Sequence, residues 1–305
     1  MTNRTFPALL APSPGPDTLK TRRWGGTRLA ALHSAPPHIQ RPIGESWEFS
    51  TLTGSESWCG GLPLGEVLQR PLPFLAKLID TALPLSIQVH PDDDPAGGTL
   101  GKEEAWVILE AEPNARLLAG LRPGVGRSTI ETAIRLAENE PDGHLRLEPL
   151  MQEIPARPGT VVLIPAGTIH SIGAGVLVAE IQQPTDCTYR LHDYGSGRAL
   201  QVRDGIAALA PMAVPLLRRP GEAPVRLRGK HLLLDIVGQG THHQTHGADQ
   251  LLVVLGSDCT VRVNGQRHDI PCHGLRLVVG GSDLVLDVPA GGWVVIGSMA
   301  AARRS

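Results

Sequence analysis

Cysteine is scarce. The 305 residues contain four, Cys59, Cys187, Cys259 and Cys272, and none forms a Cys-x-x-Cys pair. A chain of this length does not need disulfide staples, so the pattern excludes a disulfide scaffold and points to incidental thiols in a reducing compartment. Net charge is equally lacking: 28 Lys and Arg stand against 30 Asp and Glu, a balance of −2. No bulk field draws the chain to nucleic acid or to an anionic membrane, so a small anionic ligand needs a local cationic pocket. Long apolar runs are missing too. No window holds the ~18 apolar residues of a membrane span. Prolines break the apolar N-terminal run at residues 7–12 before a signal-peptide core can form. The sequence reads as a cytoplasmic protein, monomer or small homo-oligomer, with neither nucleic acid nor membrane as partner.

What is abundant is turn chemistry. The chain has 35 Gly and 27 Pro, dispersed among short Val/Ile/Leu runs, which predicts a mainly β fold. Its length favours two domains. Residues 1–22 read as a proline-rich arm draped over the surface, and 23–210 as the larger unit. One helix is expected near 128–140, capped by Ser128 or Thr129, with Ile130, Ala133, Ile134 and Ala137 on its apolar side. Four prolines in 211–224 read as a linker. Residues 225–305 form a smaller β unit in which Asn264-Gly265 marks a hairpin turn. Its His242, His243 and His246 read as a solvated loop. Trp47, in a strand near residues 44–50, reads as core.

One stretch organises the rest. Apolar and polar residues alternate from Leu85 to His90, the period of a half-buried strand, so Ser86, Gln88 and His90 line up on one face. Pro91 ends the strand, and Asp92, Asp93, Asp94 and Pro95 make a turn. A second strand follows, carrying Glu104 ahead of Trp106, Val107 and Ile108. Paired as a hairpin, the two strands bring Gln88, His90 and Glu104 together, an oxygen and nitrogen set suited to a borderline divalent ion such as zinc. Further on, the Pro158-Gly159 turn, a strand and the Pro165-Ala166-Gly167 turn deliver His170. A later strand passes from Val176 and Val178 to Glu180 and Gln182 on one face. A dense polar cluster follows at Arg190, His192, Asp193 and Arg198.

The spacing Gly159-x5-Pro165-x-Gly167-x2-His170 matches the second signature of the cupin superfamily. Gln88-x-His90 with Glu104 resembles a variant of the first, with Gln where His is more common. Within that superfamily the chain resembles the compact bacterial form of the type I phosphomannose isomerases. The resemblance rests on Trp24-Gly25-Gly26, Gly44-Glu45-Ser46-Trp47, the run from Pro84 to Asp93, Gly101-Lys102-Glu103-Glu104-Ala105-Trp106, Pro165 to His170, and Glu180 to Gln183 with Thr188-Tyr189-Arg190. It implies two cupin-type β-barrel (jelly-roll) domains with a small helical insertion. It implies one zinc ion per chain held by Gln88, His90, Glu104 and His170, Arg190 as the catalytic arginine, and Ser86 and Lys102 on the phosphate of a phosphorylated sugar. The implied reaction interconverts mannose 6-phosphate and fructose 6-phosphate. The base stays open among Glu180, His192 and a zinc-bound water. The chain departs from the family at His192, often aromatic there, and at Gly195-Ser196-Gly197, where an aspartate-rich stretch is usual. Two other readings are a metal-dependent cupin dioxygenase and a non-catalytic sugar-phosphate-binding bicupin. The first fits poorly with Gln88 and the Ser86/Lys102 pair, and the second predicts loss of Arg190 or of a ligand. The smaller unit has no Glu or late His at cupin spacing and is not expected to bind metal.

Overall fold

The computed structural model describes residues 7–300 except 14, 16, 37, 95, 139 and 246, so Pro95 and His246 lie outside the described residues. Turn residues at short intervals leave strands too short to bury themselves alone, and they assemble into layers. A five-stranded front sheet runs Met151–Pro155, Arg116–Leu121, His170–Ile172, Ile87–Val89, Tyr189–His192. A seven-stranded central sheet runs Leu216–Arg218, Val161–Ile164, Glu104–Ala111, Val176–Gln182, Leu75–Asp80, Ile43–Phe49, Leu19–Gly26. A six-stranded rear sheet and a four-stranded outermost sheet complete the C-terminal part. The fold is mainly β, as the sequence implies.

The apolar clusters show how these layers stack. Ile79, Trp106, Ile108, Val162 and Val178 of the central sheet pack on Leu117, Ala119 and Ile172 of the front sheet. The other face of the central sheet, with Leu78, Val107, Leu163 and Ile181, packs on Leu234, Leu251, Leu277 and Val295 of the rear sheet. Leu252, Val254 and Ile296 then meet Val261, Leu284 and Leu286 of the outermost sheet. The central sheet is therefore apolar on both faces, which is why the Leu75–Asp80 and Val176–Gln182 sequences read as near-continuous hydrophobic runs. Its front face gives up apolar residues around Lys77, Glu104 and Glu180, and that patch is the candidate site.

Several expectations change. The strands holding Gln88 and Glu104 are not a hairpin: Ile87–Val89 belongs to the front sheet and Glu104–Ala111 to the central one. The helix Arg127–Ala137 is present with Ile130, Ile134 and Ala137 buried, but Gly126 is its N-cap and no side chain caps it. The N-terminal arm does not simply drape. Leu9 and Leu10 pair with Val278 and Leu277 and are buried, because two adjacent leucines gain more by joining the rear sheet than by facing water. The proline-rich linker contributes Leu216–Arg218 to the edge of the central sheet, an edge position being where neighbouring prolines are tolerated. Within it, Arg218 is buried and its guanidinium lies 4.0 Å from the Trp293 ring centroid. His242 and His243 sit in the strand Gly240–Thr245, paired with Asp283–Val288, not in a loop. Asn264 and Gly265 have φ of 50° and 80°, the left-handed pair that the tight hairpin between Cys259–Val263 and Gln266–Ile270 requires. Among the described residues, no helix is long and apolar enough to cross a membrane.

Candidate metal and sugar-phosphate site

Strand pairing places the front half of the site in one row. Gln88 pairs with His170 on one side and with Arg190 on the other. Residues in register across a sheet share a face, so the three side chains project together toward the central sheet. The facing row on the central sheet is Trp106, Glu180, Lys77 and Trp47, also in register. Glu104 lies two residues before Trp106 on the same face. The Trp106 ring meets the His170 ring nearly edge-on at 5.4 Å and closes the space between the sheets.

The ligand atoms of His90, Glu104 and His170 all lie within 4.8 Å of one another, and all three residues are buried. His90 Nε2 is 3.2 Å from Glu104 Oε2, and His170 Nε2 is 3.3 Å from Glu104 Oε1. Backbone carbonyls fix the tautomers: His90 Nδ1 donates to Cys187 O at 2.9 Å and His170 Nδ1 to Thr168 O at 2.8 Å. Each ring then carries its lone pair on Nε2, aimed at the cluster, as metal-binding imidazoles do. Burial, reinforced by the Lys102 ammonium, depresses the His90 imidazole to about 3, and burial also lowers His170. Both rings are neutral at ordinary pH. Burial acts to raise the Glu104 carboxyl, but Lys102, His90 and His170 outweigh it and hold the group well below its usual value. Glu104 Oε1 is buried with no hydrogen-bond partner among the described residues. Two unprotonated imidazole nitrogens and an anionic carboxylate, one of whose oxygens is orphaned among the described residues, form a donor set that fits a divalent metal ion.

Gln88 adjoins the same point. Its Nε2 is 3.2 Å from His170 Nε2 and 3.5 Å from His90 Nε2, and its Oε1 accepts from Ser86 Oγ at 2.9 Å. A half-turn of the amide exchanges its oxygen and nitrogen, turns the oxygen to the cluster and leaves Nε2 to donate to Ser86 Oγ. Lys102 Nζ is 2.6 Å from Glu104 Oε2 and 3.1 Å from His90 Nε2. Burial opposes the Lys102 charge, yet Glu104 and Glu180 overcome it and keep the group an ammonium.

Above this floor is a narrow cavity of about 70 Å³, lined by Ser86, Lys102, Glu104, Lys77, Glu180 and Arg190 among others. It shares Arg22, Trp24, Arg190 and Arg198 with an adjoining cleft of about 320 Å³ that also includes Arg23. Arg190 Nε is buried and has no hydrogen-bond partner among the described residues. A separate cleft of about 340 Å³ is lined by Arg116, Glu148 and Tyr194. There Glu148 already accepts from both Arg116 and Tyr194, and no metal-type cluster is present among the described residues.

Glu180, one of the two side chains considered as base, faces the cavity: its Oε1 accepts from Trp106 Nε1 at 3.2 Å, and Lys77 Nζ lies 3.6 Å from its Oε2. Burial, opposed by Lys102 and assisted by Glu104, pushes its carboxyl up to about 7. His192, the other, does not reach the site. A bulge between Arg190 and His192 brings His192 into register with Ile87 rather than Ser86, which turns it to the helix-covered face. There it packs against His144, tilted, and edge-on against Tyr194, with ring centroids 5.5 and 5.2 Å away. Trp47 is buried, as expected of a core residue, and its ring also lies beneath Lys20 and Lys77, at 4.9 and 4.8 Å, and donates to Glu45 at 3.0 Å. Lys77 itself escaped sequence reasoning. Its signal was a single lysine inside the apolar run from Phe74 to Ile79, where a charge survives burial only with partners. Glu45, 3.9 Å from Lys77 and salt-bridged to Arg22 at 2.7 Å, is one such partner. Burial acts to raise its carboxyl, but Lys77 and Arg22 bring it down to about 2.

No protein-family model matches the chain. Among curated proteins it is 31% identical over 222 residues to the mannose-6-phosphate isomerase ManA of Bacillus subtilis, a match covering 64% of this chain and 67% of that protein. It is 32% identical over 213 residues to the mannose-6-phosphate isomerase of Streptococcus mutans, covering 61% of this chain and 64% of that one. Among solved structures, mannose 6-phosphate isomerase from B. subtilis superposes with a TM-score of 0.69 over 95% of this chain and 99% of the other, at 22% identity. A mannose 6-phosphate isomerase bound with zinc and yttrium superposes with a TM-score of 0.66 over 97% and 100% of the two chains, at 15% identity. Those two superpositions establish a common fold across nearly the whole molecule, and the B. subtilis ManA match carries the likeness into sequence across two thirds of that relative. The chain belongs to the mannose-6-phosphate isomerase family.

Proposed function

We propose that this chain is a zinc-dependent aldose–ketose isomerase that interconverts mannose 6-phosphate and fructose 6-phosphate, with one zinc ion held by Gln88, His90, Glu104 and His170. The observation that carries the reading is the row His170, Gln88, Arg190, which sets a guanidinium nitrogen without a hydrogen-bond partner among the described residues beside the metal-type cluster. The zinc ion, when bound, supplies Lewis-acid polarisation of a sugar oxygen. The chain's own residues supply the rest. Isomerisation moves one proton between C1 and C2 and another between O1 and O2, through an enediol whose developing negative charge needs a fixed cation. Arg190 stays protonated at any working pH and is placed to meet that charge. The Glu180 carboxylate takes the proton from C2 of the open-chain aldose and returns it to C1, giving the ketose. Trp106 and Lys77 hold Glu180 in place.

The substrate phosphate is placed at the arginine-lined mouth, with Arg22, Arg23 and Arg198 around Arg190. Guanidinium groups suit a dianionic phosphate because they offer paired donors. Ser86 and Lys102, which the family resemblance puts on the phosphate, sit on the cavity floor beside the metal-type cluster. Neither lines the outer cleft of Arg22, Arg23 and Arg198. We assign both to the sugar end. Neither a dioxygenase nor a non-catalytic binder accounts for an arginine, a buried glutamate and a lysine converging on one metal-type cluster.

The test is an isomerase assay on mannose 6-phosphate beside metal analysis of the same sample, with and without chelator. Fructose 6-phosphate formation should stop on chelation and return with zinc. A sample holding one tightly bound zinc per chain without turnover would refute the isomerase.

The base has its own signature. Glu180 must be ionised to act, so kcat/KM of the free enzyme should rise with pH along a limb at or below about pH 7, since a bound cation lowers a neighbouring carboxyl. Glu180→Gln should lower kcat about 10²–10⁴-fold and abolish that limb; a limb that persists in the variant moves the base elsewhere. The folded chain holds this proton more tightly than the unfolded one, so the Glu180 contribution to stability is lost as pH rises from the ordinary 4.5 through about 7. The Gln variant should lack that slope.

A further inference from the structure

The extended segment that leads into the Glu104–Ala111 strand carries Lys102 and, between it and Glu104, Glu103, whose side chain turns to the opposite side. It is not solvated there. Glu103 is 2% exposed, and its carboxylate is enclosed by the C-terminal unit. Oε2 accepts from Lys230 N at 2.9 Å, and Oε1 accepts from His231 N at 2.9 Å and Leu232 N at 2.7 Å. Three consecutive backbone N–H groups converging on one anion form a nest, an arrangement usually filled by a phosphate or other bound anion. Here the chain fills it with its own side chain. The fit requires glycine at 229, where a Cβ would fall 2.2 Å from Glu103 Oε1. The main chain of Glu103 is fixed as well: its N–H donates to Gln183 Oε1 at 2.8 Å and its carbonyl accepts from Gln183 N at 3.1 Å. On the same side of the contact, Lys230 meets Asp92 at 2.7 Å and His231 meets Asp93 at 2.9 Å.

We infer that Glu103 is a positioning residue through which the C-terminal unit holds Lys102 and Glu104 in register at the metal cluster. Among the described residues the C-terminal unit contributes no ligand to the His90, Glu104 and His170 cluster, yet its 229–232 turn grips the residue between Lys102 and Glu104, which cannot shift without moving both neighbours. The inference rests on the proposed metal-dependent isomerase, and it assigns the C-terminal unit a part in that reaction. Polar partners one step removed from metal ligands commonly change metal affinity or activity about 10–100-fold when altered, and Glu103 acts at the same remove through the backbone.

The test compares full-length Glu103→Gln and Gly229→Ala with the parent, loaded with zinc. Glu103→Gln keeps the shape but sets an NH2 group against Lys230 N–H. Gly229→Ala leaves Glu103 intact and pushes the turn away from it. Zinc release to an excess of a chromogenic chelator is followed alongside kcat, KM and urea unfolding. Arg70→Gln serves as control, because it breaks a bidentate pair with the buried Asp249, another tie to the C-terminal unit remote from the site. Both test variants should release zinc about tenfold faster or more and lose kcat with little change in KM, while Arg70→Gln loses stability alone. Their double variant should be little worse than either single one, since they break one contact. Zinc release and kcat within twofold of the parent in both test variants, or the same losses in Arg70→Gln, overturn the inference while the isomerase reading stands. A parent chain that holds no zinc overturns both.

Discussion

Glu104→Gln should remove metal retention and destabilise the chelator-treated protein by about 3–5 kcal/mol. The two effects have separate causes. Loss of the anionic ligand abolishes binding. Loss of the carboxylate leaves Lys102 Nζ, now 2.6 Å from Glu104 Oε2, as a cation without its partner in a site where Lys102 is 4% exposed. Removing one member of a buried pair costs far more than the pair contributes, because the survivor cannot return to water. Glu180, the next anion felt by Lys102, keeps the loss toward the lower end of that range. Pairing the change with Lys102→Met should restore most of the stability but none of the metal. Metal analysis and urea unfolding of chelated samples decide it. A Glu104→Gln protein with a full complement of zinc would remove Glu104 from the ligand set, and unchanged chelated stability would mean that Lys102 is solvated.

Arg190→Ala should behave in the opposite way, keeping metal and fold while turnover falls about 10²–10³-fold, or roughly 2.7–4 kcal/mol of transition-state stabilisation. The position tolerates truncation because the strand is held by backbone pairing to Ile87–Val89 and by the Arg190 N–H bond to Gln201 Oε1 at 3.0 Å. What disappears is the buried guanidinium nitrogen beside Gln88 that has no hydrogen-bond partner among the described residues. Arg190→Lys should not rescue, since a point ammonium cannot span two adjacent oxygens as a planar fork does. Steady-state kinetics with metal analysis measure both quantities. Turnover near the parent's moves charge stabilisation elsewhere, and loss of zinc makes Arg190 a structural support.

The strands of the site were legible from alternation and turn residues, and so was the convergence of Gln88, His90 and Glu104, while His170 joined them through the family resemblance. How they converge was not. Alternation tells which residues share a face but not which sheet faces which, so Ile87–Val89 and Glu104–Ala111 read as a hairpin when they oppose each other across the space between two sheets. His192 was misplaced for a related reason. A strict period of two puts it on the face of Arg190, and only the bulge, which no residue between them announces, turns it away. Lys77 and Glu45 were missed because a charge in an apolar strand becomes informative only once its partners across the sheet are known. The helix Val202–Ala208 lacks a capping side chain and is short, so its signal was weak beside the polar cluster before it. The nest around Glu103 was out of reach altogether: its donors are backbone N–H groups more than a hundred residues away in sequence.

The stacking of the central sheet between two others bears on how such a molecule comes into being. Its rear face, with Leu78, Val107, Leu163 and Ile181, has the C-terminal leucines and valines as its cover. While residues beyond 225 are still being synthesised, that face stands open as a broad apolar surface of the kind that recruits chaperones or other nascent chains. The N-terminal Leu9 and Leu10 must likewise wait for Leu277 and Val278 before they have a strand to join. The half that carries the chemistry is made first and finished last. Assembly therefore depends on contacts between the two ends of the chain, and any pause in translation near the proline-rich 211–224 stretch lengthens the interval of greatest risk.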